Sequence, residues 1–180
     1  MSLIARCFAL YIGIIFLAQA QVVYAFDEDP ALAVQIATAE TPGYIQEWVS
    51  TTPEHQVRIK RVYEIGPEKT IYISMVVSGF EIDGHRSTDL VGSFSIIDPN
   101  KKQIVNIADE YIHKHVMPGG KGGFVMLDPA IDFTFEKADP PGFYTFKAEV
   151  RDRVSNKEAV GTWQILFRSI SKPDAVPSLR

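Results

Sequence analysis

The chain is almost without cysteine. One occurs in 180 residues, and it is Cys7, inside an apolar N-terminal stretch. Beyond that stretch there is no thiol, so disulfide staples and thiol nucleophiles are excluded. Long apolar runs are equally scarce: after residue 25 nothing approaches the ~20 residues needed to span a bilayer. The formal charge is −4 and no Lys/Arg cluster occurs, which argues against nucleic acid and anionic membrane surfaces as partners. No segment of useful length carries helical periodicity, and no internal repeat is present.

What is present begins with the leader. Met1 to Arg6 carry one positive charge, and Cys7 to Leu17 are apolar apart from Tyr11 and Gly13. Small residues follow at Ala18, Ala20, Val23 and Ala25. This is the pattern of a cleaved secretory signal peptide over residues 1–25, and it predicts a periplasmic or secreted protein. Cleavage fits after Ala20 or after Ala25; the second leaves the acidic terminus Phe26-Asp27-Glu28-Asp29-Pro30. Cys7 lies too early to be a lipidated residue. About 155–160 residues then remain, enough for one domain that buries ~70% of its unfolded surface. Loss of Arg6 takes the formal charge from −4 to −5.

The mature chain reads as short strands. Residues 26–43 are poor in large apolar side chains and suggest a leader or a short edge element. Tyr44 to Val49 suits a short helix or a strand with Trp48 inward. Alternation begins at Val57, Ile59, Tyr63 and Ile65, and continues at Ile71, Ile73, Met75 and Val77. A polar loop, Gly79 to Asp89, turns at Asp83-Gly84. Leu90 to Ile97 and Gln103 to Ile107 form a hairpin around Asp98-Pro99-Asn100-Lys101. The middle, Asp109 to Gly123, is irregular. Strands resume at Phe124 to Leu127, at Ile131 to Phe135, and at Tyr144, Phe146, Ala148 and Val150. A last strand places Trp163, Ile165 and Phe167 on one face. Residues 169–180 form a flexible tail. Seven to eight short strands with regular turn signals predict an all-β antiparallel sandwich over 44–168.

The stretch DPPGFYTFKAEVRDRVSNKEAV carries the most specific signal. Pro140 and Pro141 fix φ, Gly142 is free to take positive φ, and Asp139, Gly142 and Tyr144 are placed as in a tyrosine corner. It resembles the last hairpin of bacterial immunoglobulin-like modules, written P-G-x-Y-x-x-x-x-x-V-x-D-x-x-S-x-K. The match runs through Pro141, Gly142, Tyr144, Val150, Asp152, Ser155 and Lys157. The hairpin SFSIIDPNKKQIV fits the same modules. From about Trp48 the chain resembles small secreted bacterial proteins of one such immunoglobulin-like domain, mostly without assigned activity. The resemblance implies a fold and no catalytic residue. Phe146 stands where an antibody domain has cysteine, so aromatic packing replaces the staple.

Candidate chemistry is sparse. His113 and His115, two apart on a strand, would lie ~6–7 Å apart on one face and could share Zn²⁺ or Cu²⁺. His85, Asp109, Glu110 or Met117 would supply a third ligand. Glu81, Asp83 and Asp89 surround a glycine turn without the spacing of a dedicated Ca²⁺ loop. Pro118 to Gly123 (PGGKGG) lacks the Ser/Thr and the helix of a phosphate loop. Ser93 stands in a strand pattern rather than on a nucleophile elbow. Asp132 and Glu136 alternate on an outer strand face as a glycosidase carboxylate pair would, but read as a solvated face. Trp48, Tyr72, Phe80 and Tyr111 exceed the core alternation and suit either an exposed cluster or a covered sheet edge.

The expectation is therefore a non-enzymatic, monomeric binding module without cofactor. It would recognise an unknown protein partner through loops or an edge strand, with Asp83, His85, His113, His115 and Lys121 at the contact. The alternative is a small periplasmic metal-handling protein using His113 and His115. A strand-donating chaperone would need two such domains, and the chain is too short for that.

Overall fold

The computed structural model describes residues 30–51, 57–117 and 123–169. The signal segment, most of PGGKGG including Lys121, and the tail beyond residue 169 lie outside the described residues. Nine strands and one helix are present among the described residues: β1 (Ala33–Ala39), α1 (Gly43–Ser50), β2 (Glu64–Ile65), β3 (Lys69–Ser78), β4 (Leu90–Ile97), β5 (Gln103–His113), β6 (Phe124–Met126), β7 (Ile131–Phe135), β8 (Gly142–Asp152) and β9 (Lys157–Phe167).

They form two sheets. In the first, β3 is central, with β1 along one side and β6 and β7 successively along the other. The second runs β2-β9-β8-β4-β5, antiparallel except for the two-residue β2 beside β9. Inward-facing residues alternate along β3, β4, β8 and β9 and meet in one core. Its centre is aromatic. Phe135 of the first sheet stacks on Phe167 of the second at 5.1 Å and meets the edge of Tyr144 at 5.0 Å. Phe133 reaches Phe146 at 6.3 Å. These aromatic contacts join the two sheets.

Both open sides of the sandwich are laced. On one, Gly161 of β9 lies directly against the backbone of Val34 in β1. On the other, the Ile112 amide in β5 donates to the carbonyl of Asp128, which follows β6, at 3.3 Å.

The turn before β8 has corner geometry. Tyr144, fully buried, donates its hydroxyl proton to the Pro140 carbonyl at 3.0 Å. Gly142 sits at φ +137° against Pro99, a conformation that side chains disfavour. Burial, then the negative charges of Asp139 and Asp98, push the Tyr144 phenol up to about 12. The folded state therefore keeps a proton that the unfolded state releases near pH 10. Stability is full below pH 10 and falls as pH rises from there towards 12. Urea titrations at pH 9 and pH 11 should show that loss. Tyr144→Phe should lose about 1 kcal/mol at neutral pH and show a shallower alkaline decline. An unchanged decline would remove Tyr144 as its source.

Four sequence expectations are corrected, and one alternative left open is resolved. The described residues hold nine strands rather than seven to eight. Part of residues 26–43 belongs to the sandwich, because β1 pairs with β3 over its whole length. Tyr44 to Val49 is helical: Tyr44, Ile45 and Trp48 recur at helical spacing and pack on the outer face of the first sheet against Ala37, Ala39, Tyr72, Val76 and Met126. Of the run from Val57 to Ile65 only Glu64–Ile65 is strand; Val57 and Ile59 cover the α1 cluster, and Val62 rather than Tyr63 is buried. Finally, β5 does not stop at Ile107. It continues to His113 across a bulge, where Asp109 takes φ +53° and its amide and carboxylate both bond the Ser93 hydroxyl, at 3.0 and 3.1 Å.

Candidate functional site

Two loops singled out in the sequence meet at one end of the sandwich. The first, between β3 and β4, is shaped by Asp83. Its carboxylate accepts the amides of His85 and Ser87, each at 2.8 Å, and its carbonyl accepts the Arg86 amide at 2.9 Å. This Asx-type turn explains why Asp-Gly stands there. The Ser87 amide above all, with that of His85, holds the Asp83 carboxyl below the usual carboxylate range. The carboxylate therefore serves its own turn. Asp89, proposed beside it as a Ca²⁺ ligand, pairs with Lys114 at 3.1 Å and faces Arg153 at 3.9 Å.

The second segment leaves the end of β5 and runs from His113 to Met117. It is sewn to the first. The Thr88 amide donates to the His115 carbonyl at 3.0 Å, and the Met117 amide donates to the Arg86 carbonyl at 2.8 Å. Ser87 and Val116 form an isolated antiparallel bridge. At the centre sits Thr88, fully buried. Its hydroxyl lies 2.7 Å from His113 Nδ1, 3.2 Å from the His113 carbonyl and 3.4 Å from that of His115, and it accepts the His115 amide at 3.3 Å. One hydroxyl thus organises both histidines.

The imidazoles of His113 and His115 pack edge to face with centroids 4.7 Å apart. His113 is half-buried; His115 is exposed. Burial, and next the His115 ring, hold His113 below the ordinary imidazole value, against the opposing pull of Asp128. The two rings are adjacent, but His115 lies beyond the end of β5 and not two places along the same strand. Among the described residues no group of three or more His, Cys, Asp or Glu surrounds a common point. Asp109, one proposed third ligand, is engaged by Ser93 in the bulge. Glu110 is exposed on β5, and His85 is exposed at the opposite loop.

The remaining candidates separate. Ser93 is committed to Asp109. Asp132 lies in β7, but Glu136 lies beyond its end, in a turn where its amide donates to Asp139 at 2.7 Å, so the two carboxylates do not share a strand face. Phe80 and Tyr111 are buried in the main core, and Trp48 and Tyr72 pack into the α1 cluster. Sequence reading missed Thr88 and Asp128. Neither stands in a motif, and only the tertiary arrangement brings them to the histidines.

Exposed apolar side chains also occur at this end, where Val116 is 62% exposed. No helix among the described residues is long and apolar enough to cross a membrane.

Comparison with protein-family models and with curated proteins gives no match. Solved structures with a similar course of chain include the CARDB domain of a Pyrococcus furiosus protein in complex with di-metal ions. It is 16% identical with a TM-score of 0.39, over 78% of this chain and 90% of that one. A PKD domain of an M14-like peptidase from a Thermoplasmatales archaeon is 13% identical with a TM-score of 0.36, over 77% and 97%. A Niemann-Pick type C2 protein from the Japanese carpenter ant is 12% identical with a TM-score of 0.39, over 78% and 95%. Overlaps this loose carry nothing over to the present chain.

Proposed function

We propose that this chain is an exported, non-catalytic binding module with a single immunoglobulin-like sandwich. On this reading it is a small secreted bacterial protein that recognises a protein partner in the periplasm or outside the cell. The contact is made by the end of the sandwich where the β3–β4 loop and the segment after β5 are joined. The observation that supports this is their mutual hydrogen bonding through Thr88, which turns two loops into one pre-organised surface. Pre-organised loops on a rigid sandwich lose little entropy when they bind. His85, His115 and Val116 are exposed on that surface. By contrast, the outer face of the second sheet carries Thr145, Lys147, Glu149, Thr162 and Gln164, an ordinary solvated set.

The test is capture of envelope proteins on three baits: the native chain, an end variant (His85→Ala, His115→Ala, Val116→Asp) and a face variant (Thr145→Ala, Gln164→Ala). The expected result is a partner held by the native and face baits and reduced at least tenfold on the end bait. A partner lost only from the face bait would overturn the reading.

A further inference from the structure

We propose that the outer edge of β7 receives an extended, basic segment of a partner protein, which joins the first sheet as an additional strand. The backbone comes first. Successive residues of a strand turn their amides and carbonyls to opposite edges. The Phe135 carbonyl accepts the Glu68 amide at 2.6 Å, and the Met75 carbonyl accepts that of Leu127 at 2.9 Å. The odd-numbered residues of β3 and β7 therefore face one another, and the amides and carbonyls of Asp132 and Thr134 point away from β3. Among the described residues β7 pairs with β3 alone, and no backbone group bonds Asp132 or Thr134 from the other side. Nearby, the same side of the sandwich is occupied: Ile112 of β5 bridges to Asp128, and its amide donates to the Asp128 carbonyl. That pairing does not continue along β7. Across the molecule β1 offers no such edge, because its outward Thr38 carbonyl accepts the Val62 amide and its Val34 carbonyl lies against Gly161.

Side chains decide what fits there. Ile131 and Phe133 pack on the core yet stay partly exposed at its margin, as do Val105 and Ile107 of β5. Phe133 is held in place by Phe135 at 4.9 Å and Phe146 at 6.3 Å. Every second side chain of an incoming strand would cover this apolar margin. The alternate ones would emerge on the outer face beside Asp132, with Asp128 before it and Glu136 after it. All three carboxylates are exposed, and among the described residues none stands in an ion pair. Opposite charges across neighbouring strands attract, so charge complementarity selects lysine or arginine at those positions. A second copy of this chain is a poor occupant, because β7 laid antiparallel on β7 brings like charges together. In strand addition of this kind main-chain bonds give affinity, and alternate side chains give selectivity.

This edge is separate from the joined loops described above, and its test does not depend on them. The probe is a short, capped peptide of alternating valine and lysine, titrated at low salt into the isotope-labelled full chain and followed by NMR. The amides of Asp132 and Thr134 should shift saturably and exchange more slowly with solvent once the peptide is bound. Replacing lysine by glutamate in the peptide should weaken binding about tenfold or more, as should Asp132→Asn combined with Glu136→Gln in the chain. Those two substitutions keep side-chain size and remove only charge. A peptide N-methylated at alternate residues lacks the donors of one edge and should not bind. No saturable shift up to about 1 mM peptide would overturn the proposal. So would equal binding of the lysine and glutamate peptides, binding of the N-methylated one, or shifts centred on other strands. Concentration-dependent protection of Asp132 and Thr134 in the chain alone would assign the edge to a second copy and overturn it as well.

Discussion

Asp152→Ala should destabilise the protein by about 3–5 kcal/mol, on the scale of losing several hydrogen bonds to one buried carboxylate. Asp152 is fully buried at the end of β8. One carboxylate oxygen accepts the Glu81 amide at 2.8 Å and the Ser155 hydroxyl at 2.7 Å. The other accepts the Val154 amide at 2.9 Å and that of Ser155 at 3.4 Å. A single side chain thus shapes the β8–β9 turn and ties it to the chain leaving β3. Alanine removes an acceptor from three backbone amides and a hydroxyl that water reaches poorly, and hydrogen bonds to a charged group are worth about 1.5–3 kcal/mol each. Total stability of a domain this size is about 5–15 kcal/mol, so the loss is a large part of it. Melting should fall by roughly 6–20 °C. Asp152→Asn keeps one acceptor oxygen and should fall between, with Ser155→Ala near 1 kcal/mol. Urea unfolding of the three variants ranks them, and Asp152→Ala within 1 kcal/mol of the native chain would show that the carboxylate is not the tie described.

Gly161→Ala should also destabilise, by about 3 kcal/mol, although local preference predicts the reverse. Within a strand, alanine or valine is ordinarily favoured over glycine by about 0.5–1 kcal/mol. Here a Cβ would stand 2.2 Å from the Val34 carbonyl oxygen and 3.1 Å from its carbon. The obstacle is backbone, which no rotamer change removes. Either β1 moves off β9, uncovering Val34 and Ile36, or the end of β9 is displaced. Gly161→Val, favoured further by strand propensity, should be worse still. Opposite signs from propensity and from geometry make the experiment decisive: variants as stable as the native chain would mean that the sheets do not approach as described.

The parts of the fold that were legible in the sequence are those with one wet and one dry face. In β8 the residues Tyr144, Phe146, Ala148 and Val150 are buried while Phe143, Glu149 and Arg151 are exposed, so alternation identifies the strand at once. In β1 both faces are covered: Val34 and Ile36 face the main core, while Ala37 and Ala39 lie under α1. Alternation vanishes when neither face is solvated, and small residues then read as a leader. The opposite error arose at Val57 to Ile65, where alternating apolar residues cover a helix cluster rather than pair in a sheet. Asp109 and Glu110 read as an interruption because a bulge needs what a strand avoids, a residue at positive φ. At the candidate site the closeness of the two histidines was legible in the sequence, although His115 lies past the end of β5. Thr88 was not, since a lone threonine after a turn carries no sign of the partners that reach it from 25 and 27 residues away. Asp152 stood in a recognisable motif, yet its bond to Glu81 spans 71 residues.

The bulge in β5 has a further consequence for life at high concentration. β5 is the outermost strand of its sheet and 11 residues long. A flat outer strand of that length is a template on which further molecules can extend the sheet, and extension repeated head to head ends in fibrils. The kink at Asp109 breaks the strand into two short runs and presents exposed Asp109 and Glu110 at the break. The same two hydrogen bonds between Ser93 and Asp109 that carry the strand on to the histidines thereby keep its edge from recruiting copies of itself.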